Sequence, residues 1–82
     1  MAHIKQRVKF TFQIEDVKDP IIYNLGKNFD LITNIRRADI NDEVGWVILE
    51  IQGKESSVTD GLNWITSLGV RVDPIGGDII EG

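Results

Sequence analysis

From Arg7 to Ile14 the chain alternates without a break. Val8, Phe10, Phe12 and Ile14 fall on one side, and Arg7, Lys9, Thr11 and Gln13 on the other. Side chains of an extended chain point to opposite faces in turn, so this run is a strand with one buried and one solvated face. A strand of that kind belongs to an antiparallel sheet covered on one side only. The remaining segments have to supply the other strands and that cover.

The acidic stretch Glu15–Asp19 turns the chain. Asp19-Pro20 reads as an N-cap followed by proline at the first helical position, and Ile21 or Ile22, Leu25 and Phe29 recur at helical spacing. A short helix is expected from Pro20 to about Asn28, weakened by Gly26. A second strand follows, roughly Leu31 to Ile40. Its alternation is inconsistent: Leu31 and Ile35 share one parity, Ile32, Ala38 and Ile40 the other. A bulge near Arg37 reconciles them. Asn41-Asp42-Glu43 is a hairpin turn, and Val44 to Gln52 is the most apolar strand. Val47, Leu49 and Ile51 form its core row, with Trp46 and Ile48 opposite beside Glu50 and Gln52, and Gly53 ends it.

The second helix is expected from about Ser56, with Ser56-Ser57 as its cap, to Leu68. Val58, Leu62, Ile65 and Leu68 make its buried stripe, and Gly69 is a stop signal. Val70 to Ile75 completes the set. The order β-α-β-β-α-β is the ferredoxin-like α+β arrangement, a four-stranded antiparallel sheet with two helices on one face. The expected core is Val8, Phe10, Phe12, Leu25, Ile35, Val47, Leu49, Ile51, Leu62, Ile65, Val70 and Val72. Lys9, Thr11, Asn34, Arg36, Trp46 and Ile48 are left on the open face, where a tryptophan and an isoleucine together call for a partner.

Eighty-two residues make a single domain, with an ordered core over about 7–75 and a flexible acidic tail over 76–82. So small a core gains from dimerisation. The net charge of −4 argues against nucleic acid as partner, since phosphate attraction supplies most of that affinity. Lys5, Arg7 and Lys9 alternate on a solvated strand face. With no cysteine there is no disulfide, thiolate metal site or cysteine nucleophile. No apolar run approaches the ~18 residues of a membrane span, so membrane insertion is not expected and the cytoplasm is the expected compartment.

Catalytic equipment is lacking. The sole histidine, His3, lies in what reads as a frayed N-terminus, which leaves no Ser-His-acid triad. Asp39, Asn41, Glu43 and Glu50 partly mimic a calcium loop, but Val44 stands where the sharp central turn needs glycine. The acylphosphatase version of this fold cradles phosphate in a glycine-rich loop after the first strand. Here that loop, Glu15-Asp16-Val17-Lys18-Asp19, is acidic and lacks glycine. No enzyme, cofactor or metal is expected.

A family resemblance accompanies this reading. Phe10 and Phe12, Pro20-Ile21-Ile22-Tyr23, Asn34-Ile35-Arg36, Gly45, Leu49-Glu50-Ile51-Gln52-Gly53, Trp64-Ile65 and Gly69-Val70-Arg71-Val72 together resemble the NIL domain, from about Val8 to Ile75. Arg36 replaces the leucine of the Asn-Ile-Leu tripeptide that names the family. NIL domains end methionine-importer ATPases, where these ACT-like modules dimerise, bind methionine and inhibit transport. They also precede the cluster module of certain bacterial ferredoxin-type proteins, the context this chain resembles more unless it is free-standing. The resemblance implies a regulatory domain that binds a small molecule, an amino acid such as methionine, at a homodimer interface, beside a transporter or ferredoxin-type partner. Asn34, Arg36, Trp46 and Ile48 are the ligand-binding candidates. The competing expectation is a protein-interaction or dimerisation module with no small ligand.

Overall fold

The computed structural model describes residues 3–17 and 19–76. The expected flexibility of the tail concerns residues that, from 77 on, lie outside the described ones, as does Lys18. The element order is β1 (His3–Gln13), a 3₁₀ turn (Ile14–Asp16), α1 (Ile21–Phe29), β2 (Ile32–Ile40), β3 (Val44–Lys54), α2 (Glu55–Ser67) and β4 (Arg71–Pro74). The four strands form one antiparallel sheet in the order β2-β3-β1-β4, so β2 and β4 are its edges. This is the α+β ferredoxin-like arrangement that the segment order implies.

The long central pair is β1 with β3, in register from His3 opposite Lys54 to Gln13 opposite Val44. Directly opposed residues share a face. Val8, Phe10, Val47, Leu49 and Ile51 therefore form one apolar row, and all five are buried. Ile21 and Leu25 from α1, Val58 and Ile65 from α2, and Val70 close over that row. The helices touch each other through Phe29 and Trp64, whose ring centroids lie 5.7 Å apart in a tilted pair.

Leu31 joins this core, although the parity of its segment makes it only one strand residue among several. Asp30, in the left-handed conformation at φ 57°, ends α1 and turns the chain so that Leu31 points inward. Gly53 and Gly61 make room for it. A Cβ on Gly53 would stand 2.6 Å from Leu31 Cδ2, and one on Gly61 3.1 Å from Leu31 Cδ1. Gly53 thus serves packing rather than strand termination, and β3 continues to Lys54.

Other expectations are corrected. Ile35 is not in the core: it shares the helix-side face with Leu49 but is 54% exposed, since no apolar residue of β2 belongs to the core or packs against it. Leu68, placed in the buried stripe of α2, is 41% exposed, since that helix ends at Ser67 and the chain has already turned away. Ser56 and Ser57 do not cap α2; Lys54 holds the cap position and makes no side-chain bond there. Pro20, not Asp19, is the N-cap of α1. Phe12, Leu62 and Val72 are half-buried and pack at the margin of the core. His3, read as frayed, opens β1 as an exposed residue opposite Lys54. The bulge expected near Arg37 is present, between Ile35 and Arg37, and it returns Ala38 and Ile40 to the face of Ile35.

Candidate functional site

The same register defines the uncovered side of the sheet. Reading from β2 through β3 to β1, Ile32, Gln52 and Lys5 form one row, and Asn34, Glu50 and Arg7 the next. Then come Arg37, Ile48 and Lys9, and finally Asp39, Trp46 and Thr11. β4 extends the last two rows with Asp73 and Arg71. The bulge puts one extra residue, Arg36, between Ile35 and Arg37.

Glu50 is the electrostatic centre of this face. Arg7 Nη2 donates to Glu50 Oε2 at 2.7 Å, and Arg36 Nη1 lies 3.9 Å from Glu50 Oε1. The hydrogen bond from Arg7 holds the Glu50 carboxyl below its ordinary value; desolvation opposes this, and the charges of Arg36, Arg7 and Lys5 reinforce it. Glu50 is therefore a carboxylate at neutral pH with a firm partner in Arg7 and a loose one in Arg36. Arg36, half exposed, is free to turn to another anion.

All four candidate residues from the sequence lie on this face, but not in one cluster. Asn34 stands directly opposite Glu50 on β3, and Arg36 reaches the same carboxylate. Ile48 occupies the adjacent row. Trp46 is four residues from Glu50 along β3, roughly 13 Å at ordinary strand rise, and Lys9 Nζ sits 5.1 Å from its ring centroid. Glu50 is the residue that the sequence reading left out. Its parity with Trp46 and Ile48, opposite Asn34, is the signal that finds it.

Among the described residues no strand lies beyond the outer side of β2. Ile32, Ile35 and Ile40 are 66%, 54% and 60% exposed, on both faces of that strand. Long apolar edges of this kind are templates for pairing with another strand. Elsewhere, a cleft of about 110 Å³ lies on the helix side, lined by Asp16, Asp19, Ile21, Asn24, Trp64 and Leu68. It is small beside ligand pockets of roughly 300–1,000 Å³. Among the described residues no group of three or more acidic, histidine or cysteine side chains could hold a metal ion. No helix among them is long and apolar enough to cross a membrane.

Comparison with known proteins decides the family. The family model described as "NIL domain" matches residues 6–74. The chain belongs to the NIL domain family. Among solved structures, this NIL domain is similar to the C-terminal domain of an ABC transporter ATP-binding protein from Enterococcus faecalis. The TM-score is 0.80 at 22% identity, covering 89% of this chain and 86% of that one, a likeness of fold. An amidase of the hydantoinase/carbamoylase family from Burkholderia phymatum gives a TM-score of 0.50 at 11% identity, over 92% of this chain but 28% of that one. No curated protein matches the chain.

Proposed function

We propose that this NIL domain is a non-catalytic regulatory module that binds an amino acid such as methionine at a homodimer interface along β2. The observation that carries the reading is the juxtaposition of Asn34, Arg36 and Glu50 beside an unpaired apolar strand edge. An amino acid presents a carboxylate, an ammonium and a side chain at fixed separation. The Asn34 amide and the loosely held Arg36 guanidinium suit the carboxylate, and Glu50, kept ionised, suits the ammonium. Ile48 in the next row offers apolar contact.

On one protomer these groups lie on an open surface rather than in a pocket, so a second copy has to complete the enclosure. Edge-to-edge pairing of two β2 strands does so with one self-complementary contact. It also covers Ile32, Ile35 and Ile40. The fold likeness to the C-terminal domain of an ABC transporter ATP-binding protein supports regulation of a transporter ATPase as the context. Ligand occupancy at a dimer junction would then be coupled to the partner through the dimer geometry.

Calorimetry with methionine and related amino acids tests the site. Binding is expected in the wild type and is lost in Asn34→Ala, with the dimer unchanged. A wild type that takes up no amino acid at millimolar concentration overturns the reading.

A further inference from the structure

Apart from Asp42 and Glu43 in the turn between β2 and β3, the charges of the described residues are sorted by layer. On the open face stand Lys5, Arg7, Lys9, Arg36, Arg37 and Arg71, against Asp39, Glu50 and Asp73, in a chain whose net charge is −4. The opposite layer, made of the helices and the segments leading into and out of α1, carries Glu15, Asp16, Asp19, Asp30, Glu55 and Asp60. Among the described residues its basic members are Lys27 and, at the start of α2, Lys54.

Ion pairs inside the open face do not cancel its charge. Glu50 is held by Arg7 and Arg36, and Asp73 by Arg71 at 2.9 Å. Lys5, Lys9 and Arg37 have no carboxylate within 4.0 Å among the described residues, and Asp39 is the acid left over. Lys9 and Arg37 therefore flank Ile48, and Lys9 also lies over the Trp46 ring, whose β2 neighbour is Asp39; both apolar residues are half-buried.

We propose that the open sheet face is a docking surface for an acidic polypeptide segment, with an apolar residue of that segment against Trp46 and Ile48. Charge complementarity selects the partner and speeds its approach. A second copy is a poor occupant, because seating its acidic helix layer on the basic face is a head-to-tail contact that builds rings or open filaments rather than a two-fold dimer. RNA is a poor one as well. Sheets of this fold read RNA with stacking aromatics on their central strands, yet the open positions of β1 carry Lys5, Arg7, Lys9 and Thr11, and Lys9 already covers the Trp46 ring. The surface shares Trp46 and Ile48 with the amino-acid-binding candidates, but its charge comes from Lys5, Lys9 and Arg37, and different ligands test the two readings.

The test titrates the isotope-labelled protein with a synthetic peptide of alternating glutamate and leucine, and separately with oligouridylate, at low salt. The peptide is expected to shift the amides of β1 and β3 and the Trp46 indole N–H. Raising salt from about 25 to about 300 mM should weaken it at least tenfold, as screening shortens to within a few ångströms. The triple variant Lys5→Gln, Lys9→Gln, Arg37→Gln should lose about tenfold in affinity at low salt, while Lys27→Gln binds like the wild type. Should the triple variant not fold, the salt titration of the wild type reads the same property. Peptide shifts confined to the helices, salt-independent binding, a folded triple variant with unchanged affinity, or tighter binding of oligouridylate on this face would each overturn the proposal.

Discussion

Strands β3 and β2 are neighbours in one sheet, with similar apolar content on their helix-side rows, yet they live in different environments. Val47, Leu49 and Ile51 of β3 are almost fully buried, whereas Ile35, Ala38 and Ile40 of β2 stand exposed on the same face. The difference lies in what covers them. The two helices close over β1 and β3, and no apolar residue of β2 belongs to the core or packs against it. The bulge between Ile35 and Arg37 returns Ile40 to that row and thereby keeps the exposed row apolar. Alternation along a strand tells which face a residue takes; it does not tell whether anything lies above it. In this NIL domain, the protected half holds the core, and the uncovered half is the surface that the proposed function uses.

Truncation on the two strands should separate these roles most strongly. Leu49→Ala removes a fully buried side chain and should cost roughly 2–5 kcal/mol. Ile35→Ala, from an exposed site, should cost the monomer less than about 1 kcal/mol. Urea unfolding at low protein concentration reads both. Equal losses would mean that β2 is covered after all.

A smaller effect is expected where glycine lets the covered half close. In Gly53→Ala the new Cβ meets Leu31 Cδ2 at 2.6 Å, with the Asp30 carbonyl oxygen at 3.4 Å, so overpacking of about 1–3 kcal/mol should appear in the same assay. At Gly45 the corresponding neighbours are the Phe12 ring at 2.9 Å and Ile40 Cγ1 at 3.2 Å. Phe12 lies at the margin of the core and can shift outward, so Gly45→Ala should cost less than Gly53→Ala.

The smallest effect is electrostatic and belongs to the open face. The Glu50 carboxyl titrates below its ordinary value of 4.5 in the folded chain, chiefly through the Arg7 hydrogen bond. Its contribution to stability is therefore full above pH 4.5 and is lost as pH falls through the lower folded value. Glu50→Gln should flatten the acid side of the stability profile below about pH 4.5 while leaving its shape near neutrality unchanged. An unaltered acid limb in the variant would mean that Glu50 is not held by Arg7 in solution.

Much of this was legible from residues alone. The strict run Val8, Phe10, Phe12 fixed the face of β1, and the clash of parity between Ile35 and Ile40 announced the bulge. What escaped depends on contacts distant in the chain. Leu31 becomes a core residue because Gly53 and Gly61, on other elements, leave space for it. Ile35 falls outside because the core closes over β1 and β3 alone, which strand pattern does not reveal. Ser56-Ser57 look like a cap, but β3 runs straight into α2 and the helix begins one residue before them. At the candidate site, face membership could be read for Asn34, Trp46 and Ile48. The central place of Glu50 requires the register that sets it between Asn34 and Arg7.

Sedimentation equilibrium of the wild-type chain at micromolar concentration tests the central claim most directly, since the β2 edge is held to be an interface that a second copy completes. The expected result is a particle of twice the 9.2 kDa chain mass that reverts to monomer in Ile35→Lys, where a charge is placed on the edge. A wild type that sediments at 9.2 kDa throughout that range would contradict it.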